Sequence, residues 1–260
     1  MQESKGIISE RNCYRNCEVL HKAGNPGLQS KREAMIKANL IHLSYNFWSD
    51  NNHPYYKKDA VYHPYLRFDE TLWKEIICSM ANANMNMIVI DLGDGVKYKS
   101  HPEIAVKGAW TVNKLKKELA YCRSMGIEPI PKLNFSTTHD IWLGEYSRKV
   151  STRQYYTVCT DLIKEVINIF GGPRFLHLGM DEETLNEQRR FLRQRNPYEN
   201  NTTFRDLLLV NKVEEQGSQA WVWSDVLWWR GRKEFINNMP KSGIQSNWYY
   251  DDTVEPETDL

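Results

Sequence analysis

The chain has 260 residues, with 41% hydrophobic and 26% charged residues, ordinary values for one large water-soluble domain. Thirty-four basic and 33 acidic residues leave a net charge of +1 and are well mixed, so neither nucleic acid nor an anionic membrane is the expected partner. No stretch reaches the ~18 apolar residues of a membrane span, the first five residues Met1-Gln2-Glu3-Ser4-Lys5 carry no apolar signal region, and five cysteines without a CxxC pair argue against a disulfide framework or a zinc knuckle.

Residues 1–35 read as a helical or irregular N-terminal segment, and 36–260 as one domain of alternating strands and helices. The first strand is predicted over Leu40 to Asn46. Asp69 then caps a helix whose apolar face carries Trp73, Ile76, Ile77 and Met80. The run Met87-Ile88-Val89-Ile90 predicts a buried strand. Thr111 caps the next helix, Val112, Leu115, Leu119 and Cys122 share its inner face, and Gly126 ends it. Ile127 to Leu133 is the third strand. Ser151 and Gln154 form a capping box for a long helix with a stripe from Tyr155 through Cys159 and Leu162 to Phe170, stopped by Gly171-Gly172-Pro173. Phe175 to Leu178 is the fourth strand. A helix over Arg205 to Glu215 precedes strands at Ala220 to Trp223 and Ile244 to Trp248. Cys122 and Cys159, on helix faces, are expected as buried thiols.

Regular βα alternation implies an α/β fold with a parallel sheet. A barrel and an open doubly wound sheet both fit it. No glycine-rich phosphate loop follows the first strand, which weakens a nucleotide-binding open sheet. The expectation is a (β/α)8 TIM-type barrel, and six strands counted against the eight of a closed barrel predict that the last two are lacking in this chain.

Barrel enzymes place their chemistry at the C-terminal ends of the strands. That rule selects Asp91 and Asp94, then Asn134 and His139, then Asp181, Glu182 and Glu183, then Asp225, and last Trp248, Tyr249 and Asp251. The densest signal is His177-Leu178-Gly179-Met180-Asp181-Glu182-Glu183. Three adjacent acids repel one another, so an enclosed one gains a raised pKa and can serve as a general acid. Equally, the three start a helix whose positive dipole end favours acids. The tryptophans of the run Ala220 to Trp229 are core filler or platforms for the apolar faces of sugar rings.

His177-Leu178-Gly179-Met180-Asp181-Glu182 resembles the His-x-Gly-Gly-Asp-Glu motif of the family-20 glycoside hydrolases, the β-N-acetylhexosaminidases, with Met180 in place of the second Gly. Asn86 to Asp94, His101 to Ile104, Gly108 to Thr111 and Gly126 to Pro131 follow the family's order, so the resemblance covers roughly residues 84–185. It implies a substrate-assisted retaining hydrolysis of a terminal, β-linked N-acetylhexosamine, outside the usual two-carboxylate scheme. Glu182 would be the general acid. Asp181 would orient the substrate's 2-acetamido group. Asp94 and His139 match the family's aspartate–histidine pair beside the acid. His177, Trp223, Asp225, Trp248 and Tyr249 would contact the sugar. No cofactor or metal is implied, the partner is a carbohydrate, and the resemblance points to a secreted or periplasmic protein. The chain departs from the family in several places. It has no arginine at the end of the first strand. Asp91 stands for the family's second-strand histidine and Gly95 for the second of two adjacent aspartates. Pro131-Lys132-Leu133-Asn134 stands where the family has Pro-Glu-x-Asp. Two rival readings follow: a non-catalytic carbohydrate-binding barrel, and a metal-assisted hydrolase using Asp91, Asp94, His139 and Asp181.

Overall fold

A computed structural model describes residues 35–47, 62–136, 139–147, 149, 152–181, 209–225, 227 and 232–248. The N-terminal segment up to residue 34, Ser151, Glu182, Glu183, the first residues of the helix predicted from Arg205, Tyr249 and Asp251 lie outside the described residues.

Six strands form one wholly parallel sheet: β1 (Ala38–His42), β2 (Met87–Asp91), β5 (Glu128–Lys132), β6 (Phe175–His177), β7 (Gln219–Trp223) and β8 (Ile244–Ser246), in the order β1-β2-β5-β6-β7-β8. Between β2 and β5, the two-residue strands β3 (Val96–Lys97) and β4 (Trp110–Thr111) pair with each other. Each strand of the main sheet is laid beside its predecessor on the same edge. A doubly wound sheet reverses direction at a switch point; this order has no reversal, so the sheet is of the curled, barrel-like kind. β1 begins two residues earlier than predicted and stops at His42, where the prediction ran to Asn46. The Leu43 amide still donates to the Asp91 carbonyl (2.8 Å), after which the chain leaves the sheet.

The helices form where their caps and stripes are written. Asp69 accepts from the Thr71 and Leu72 amides (2.9 and 3.0 Å) and starts α1 (Glu70–Asn82). Thr111 Oγ1 accepts from the Lys114 amide (3.1 Å) and starts α2 (Val112–Ser124). For α3 (Arg153–Phe170) the cap is Thr152, not Ser151: its hydroxyl accepts from the Tyr155 amide at 3.2 Å. Gly171 ends α3 in the left-handed conformation, φ 76°, which glycine adopts without a Cβ penalty. A short α4 (Arg232–Asn238) lies between β7 and β8.

Alternation along each strand divides the core in two. Ile88, Ile90, Leu176, Ala220 and Val222 face the helices and join Trp73, Ile77, Leu115, Leu119, Leu162 and Val166 in one large cluster. Met87, Val89, Ile130 and Phe175, with Leu40, Trp221 and Ile244 against them, form a smaller cluster on the opposite face, helix-free among the described residues. Each fully buried Leu or Ile contributes about 1.5–3 kcal/mol, so among the described residues the larger, helix-side cluster carries most of the stability. Cys122 and Cys159 are buried free thiols, as expected. Cys78 is disulfide-bonded; an odd count excludes complete pairing of the cysteines but not a single bond.

Candidate functional site

One rung of the sheet is polar. His42 pairs in register with Asp91, Asp91 with Lys132, and Lys132 with His177. In a parallel sheet such residues point to the same face. Two residues below them on each strand lie Leu40, Val89, Ile130 and Phe175 of the helix-free cluster. The rung therefore sits above an apolar floor, at the C-terminal rim where barrel folds place their chemistry.

Asp91 is the centre of this rung. Its Oδ2 accepts from Lys132 Nζ (2.5 Å) and His42 Nδ1 (3.2 Å). Asp91 and Lys132 side chains are each 2% exposed, His42 23%. Burial alone would push the Asp91 carboxyl up, but the Lys132 charge and the His42 contact outweigh it and hold the group at about 2. The phenyl ring of Phe47 packs beside this group, 4.5 Å from the His42 ring and 5.4 Å from Lys132 Nζ. His177 accepts the Gly179 amide on Nδ1 (3.0 Å), so its Nε2 carries the proton. Burial, then the Lys132 charge, push His177 well below the ordinary histidine range and keep it neutral. That Nε2 is buried and has no hydrogen-bond partner among the described residues. The ring leans on Trp221 and Trp223, with centroids 5.3 and 4.8 Å away.

The second group lies just past β6. Asp181, its side chain 17% exposed, accepts from Asn134 Nδ2 (3.2 Å) and stands 3.6 Å from Nε2 of the fully buried His139. Ser136 holds the Asp181 carbonyl through its hydroxyl, and its amide donates to Asn134 Oδ1 (3.1 Å). Trp142 Nε1 donates to the Asn134 carbonyl (2.7 Å). The turn into Asp181 is left-handed twice, Gly179 at φ 77° and Met180 at φ 67°. A glycine would sit at the second position without strain, and the methionine there costs about 1–2 kcal/mol, offset by its burial in the core.

The structure brings Asp181, His139 and Asn134 together. Asp94, the other member of the pair that the resemblance implies, is held from the loop after β1. It is buried on the β1 side, its Oδ2 accepts from Asn46 Nδ2 (2.8 Å), and burial raises its pKa against the bonds from Asn46 and Ser44. At Gly95, beside it, a Cβ would lie 2.8 Å from Leu43 Cγ, so an aspartate there would force Leu43 to move. Asp225 is buried and accepts from Trp248 Nε1 (2.7 Å), so these two predicted sugar contacts meet each other. Trp223, half-buried, lies against His177. No group of three or more His, Cys, Asp or Glu among the described residues is arranged to hold a metal ion, and no described helix is long and apolar enough to cross a membrane.

Two residues of the rung, His42 and Lys132, escaped the sequence reading. The signal for Lys132 was present: a charge inside the apolar run Ile130-Pro131-Lys132-Leu133 is out of place in a buried strand unless paired.

No family model and no curated protein matches the sequence. Solved structures do match in fold. Flavobacterium johnsoniae chitobiase superposes with a TM-score of 0.55 at 18% identity, over 67% of this chain and 31% of that one. Streptomyces plicatus N-acetyl-β-hexosaminidase gives 0.57 at 14% identity, over 88% of this chain and 45% of that one. The family-20 β-N-acetylhexosaminidase of Streptomyces coelicolor gives 0.53 at 14%, with the same coverage of 88% and 45%. The chain thus has a family-20-like fold in diverged form, and it spans between about a third and a half of the length of these relatives.

Proposed function

We propose that the chain is a glycoside hydrolase of (β/α)8 barrel type, cleaving a terminal β-linked N-acetylhexosamine with help from the substrate's own acetamido group. The observation that carries this reading is the placement of Asp181. It stands at the end of a barrel strand, mostly enclosed, with one oxygen on Asn134 and the other beside His139. A carboxylate fixed in this way can accept the N–H of a 2-acetamido group and turn its carbonyl oxygen onto the anomeric carbon. The glycosidic bond breaks as that oxygen–carbon bond forms, and Glu182, next in the chain, protonates the leaving oxygen. Water then opens the cyclic intermediate, giving its proton back to Glu182. The Streptomyces plicatus enzyme, captured with its product N-acetylglucosamine, supports this choice of sugar.

The rival reading, a carbohydrate-binding barrel without activity, draws on the rung. Asp91 is engaged by Lys132 and His42, so it is not free for the chemistry of the histidine it replaces. A panel of chromogenic glycosides, with and without the 2-acetamido group, separates the two. Hydrolysis confined to 2-acetamido sugars and lost in Glu182→Gln supports the proposal. Hydrolysis of other sugars removes the acetamido step, and folded protein without activity leaves the binding barrel.

A further inference from the structure

We propose that His42, oriented by Asp91, is a sugar-binding residue that takes a ligand hydroxyl on its Nε2; this rests on the reading of the site as a carbohydrate pocket. His42 closes β1 on the helix-free face, in register with Asp91 and level with Lys132 and His177. Its Nδ1 is bonded to the Asp91 carboxylate at 3.2 Å. Because the Lys132 cation holds that carboxylate ionised, the Nδ1 atom faces it with its proton, and in that tautomer the ring lone pair lies on Nε2. Phe47 and Tyr45 pack against the ring at 4.5 and 5.6 Å, the second edge-on, and against each other at 6.1 Å. The imidazole is thus fixed in tautomer and in plane, while 23% of its side chain stays open.

This arrangement is more than a structural ion pair needs. Lys132 and Asp91 already form a closed, buried pair. A third group, held by the same oxygen and partly open on the face above the apolar floor, offers an acceptor to whatever lies there. On the same rung, the His177 Nε2–H is a buried donor with no partner among the described residues. A fixed acceptor and an unsatisfied donor on one polar rung, flanked by Trp223, match a polyhydroxylated ring, whose hydroxyls both donate and accept and whose carbon face stacks on indole.

Two substitutions at one position separate binding from scaffolding. His42→Asn keeps a donor near the Nδ1 position for Asp91 but removes the outward atom. His42→Gln places its amide near the Nε2 position. We measure binding of N-acetylglucosamine to the 260-residue wild type and both variants by calorimetry, with thermal unfolding as the control for folding. The expected result is about tenfold weaker binding for His42→Asn, the order of one hydrogen bond, and most of the affinity retained by His42→Gln. In wild type, one singly deoxygenated analogue should lose affinity by a similar factor, and that loss should vanish in His42→Asn. Unchanged binding in a folded His42→Asn overturns the role of His42 and leaves the carbohydrate pocket standing. Failure of the folded wild type to bind N-acetylglucosamine overturns the pocket and this inference together.

Discussion

Gly179 passes so close to Asn134 that a Cβ built on it would overlap the Asn134 amide and lie 3.0 Å from its Cα. The contact fixes the side chain that donates to Asp181, and a backbone held at φ 77° adds strain for any other residue. Gly179→Ala should therefore destabilise the fold by about 2 kcal/mol or more and cost turnover beyond what the stability loss explains. Unfolding curves and specific activity of the folded fraction measure the two separately; a variant as active per folded molecule as wild type would show that Asn134 does not position Asp181.

At Met180 the ordinary ranking of alanine over glycine should invert. Both substitutions lose the same buried side chain, but only Met180→Ala keeps a Cβ at φ 67°. Met180→Gly should be the more stable of the two by about 1 kcal/mol, read from urea midpoints at equal slope. Alanine coming out more stable would mean the turn relaxes out of the left-handed region.

Lys132→Met leaves Asp91 buried without its cation, and should cost roughly 3–5 kcal/mol. Adding Asp91→Asn should recover a large part of that loss, because the uncompensated charge goes with it. Additive losses in the double variant would argue against a coupled pair.

The same carboxylate sets an acid limit. Its pKa falls from the usual 3.8 unfolded to about 2 in the folded protein, so the folded state binds fewer protons between those values. The stabilisation, roughly 2 kcal/mol by linkage, is present above pH ~4 and lost as pH falls through about 2. Stability followed from pH 5 to 2 should decline less steeply in Asp91→Asn than in wild type; parallel curves would remove Asp91 as the cause.

Asp181→Asn should lower turnover of 2-acetamido glycosides by about a hundredfold or more, the scale of losing a group that positions the attacking atom. It should leave residual rates on plain glycosides unchanged. Equal losses on both classes would count against substrate assistance.

Much of this fold was legible because caps and stripes are local signals. Asp69 and Thr111 start their helices where the residues say, and the α3 stripe predicts the buried face. The α3 cap was missed by one position because Ser151 and Thr152 can both cap, and side-chain identity does not choose between neighbours. β1 was misplaced because the apolar letters continue past His42 while its ladder partners on β2 end at Asp91. The candidate site divides the same way. Asp181 is singled out by a motif that spans only a few residues. His42, Asp91 and Lys132 lie 49 and 41 positions apart, and their meeting is a matter of register between strands, which no single segment contains. Asn46, the partner of Asp94, likewise comes from the loop after β1, 48 positions away.

The paired charges at Asp91 and Lys132 also constrain how this rim can change over generations. A single substitution at either position leaves a lone charge in the interior, so the two positions can change polarity only together. His42, attached to the same oxygen, inherits that restriction. Change at this rim should then run through exposed side chains such as Tyr45, 50% exposed, sooner than through the buried pair.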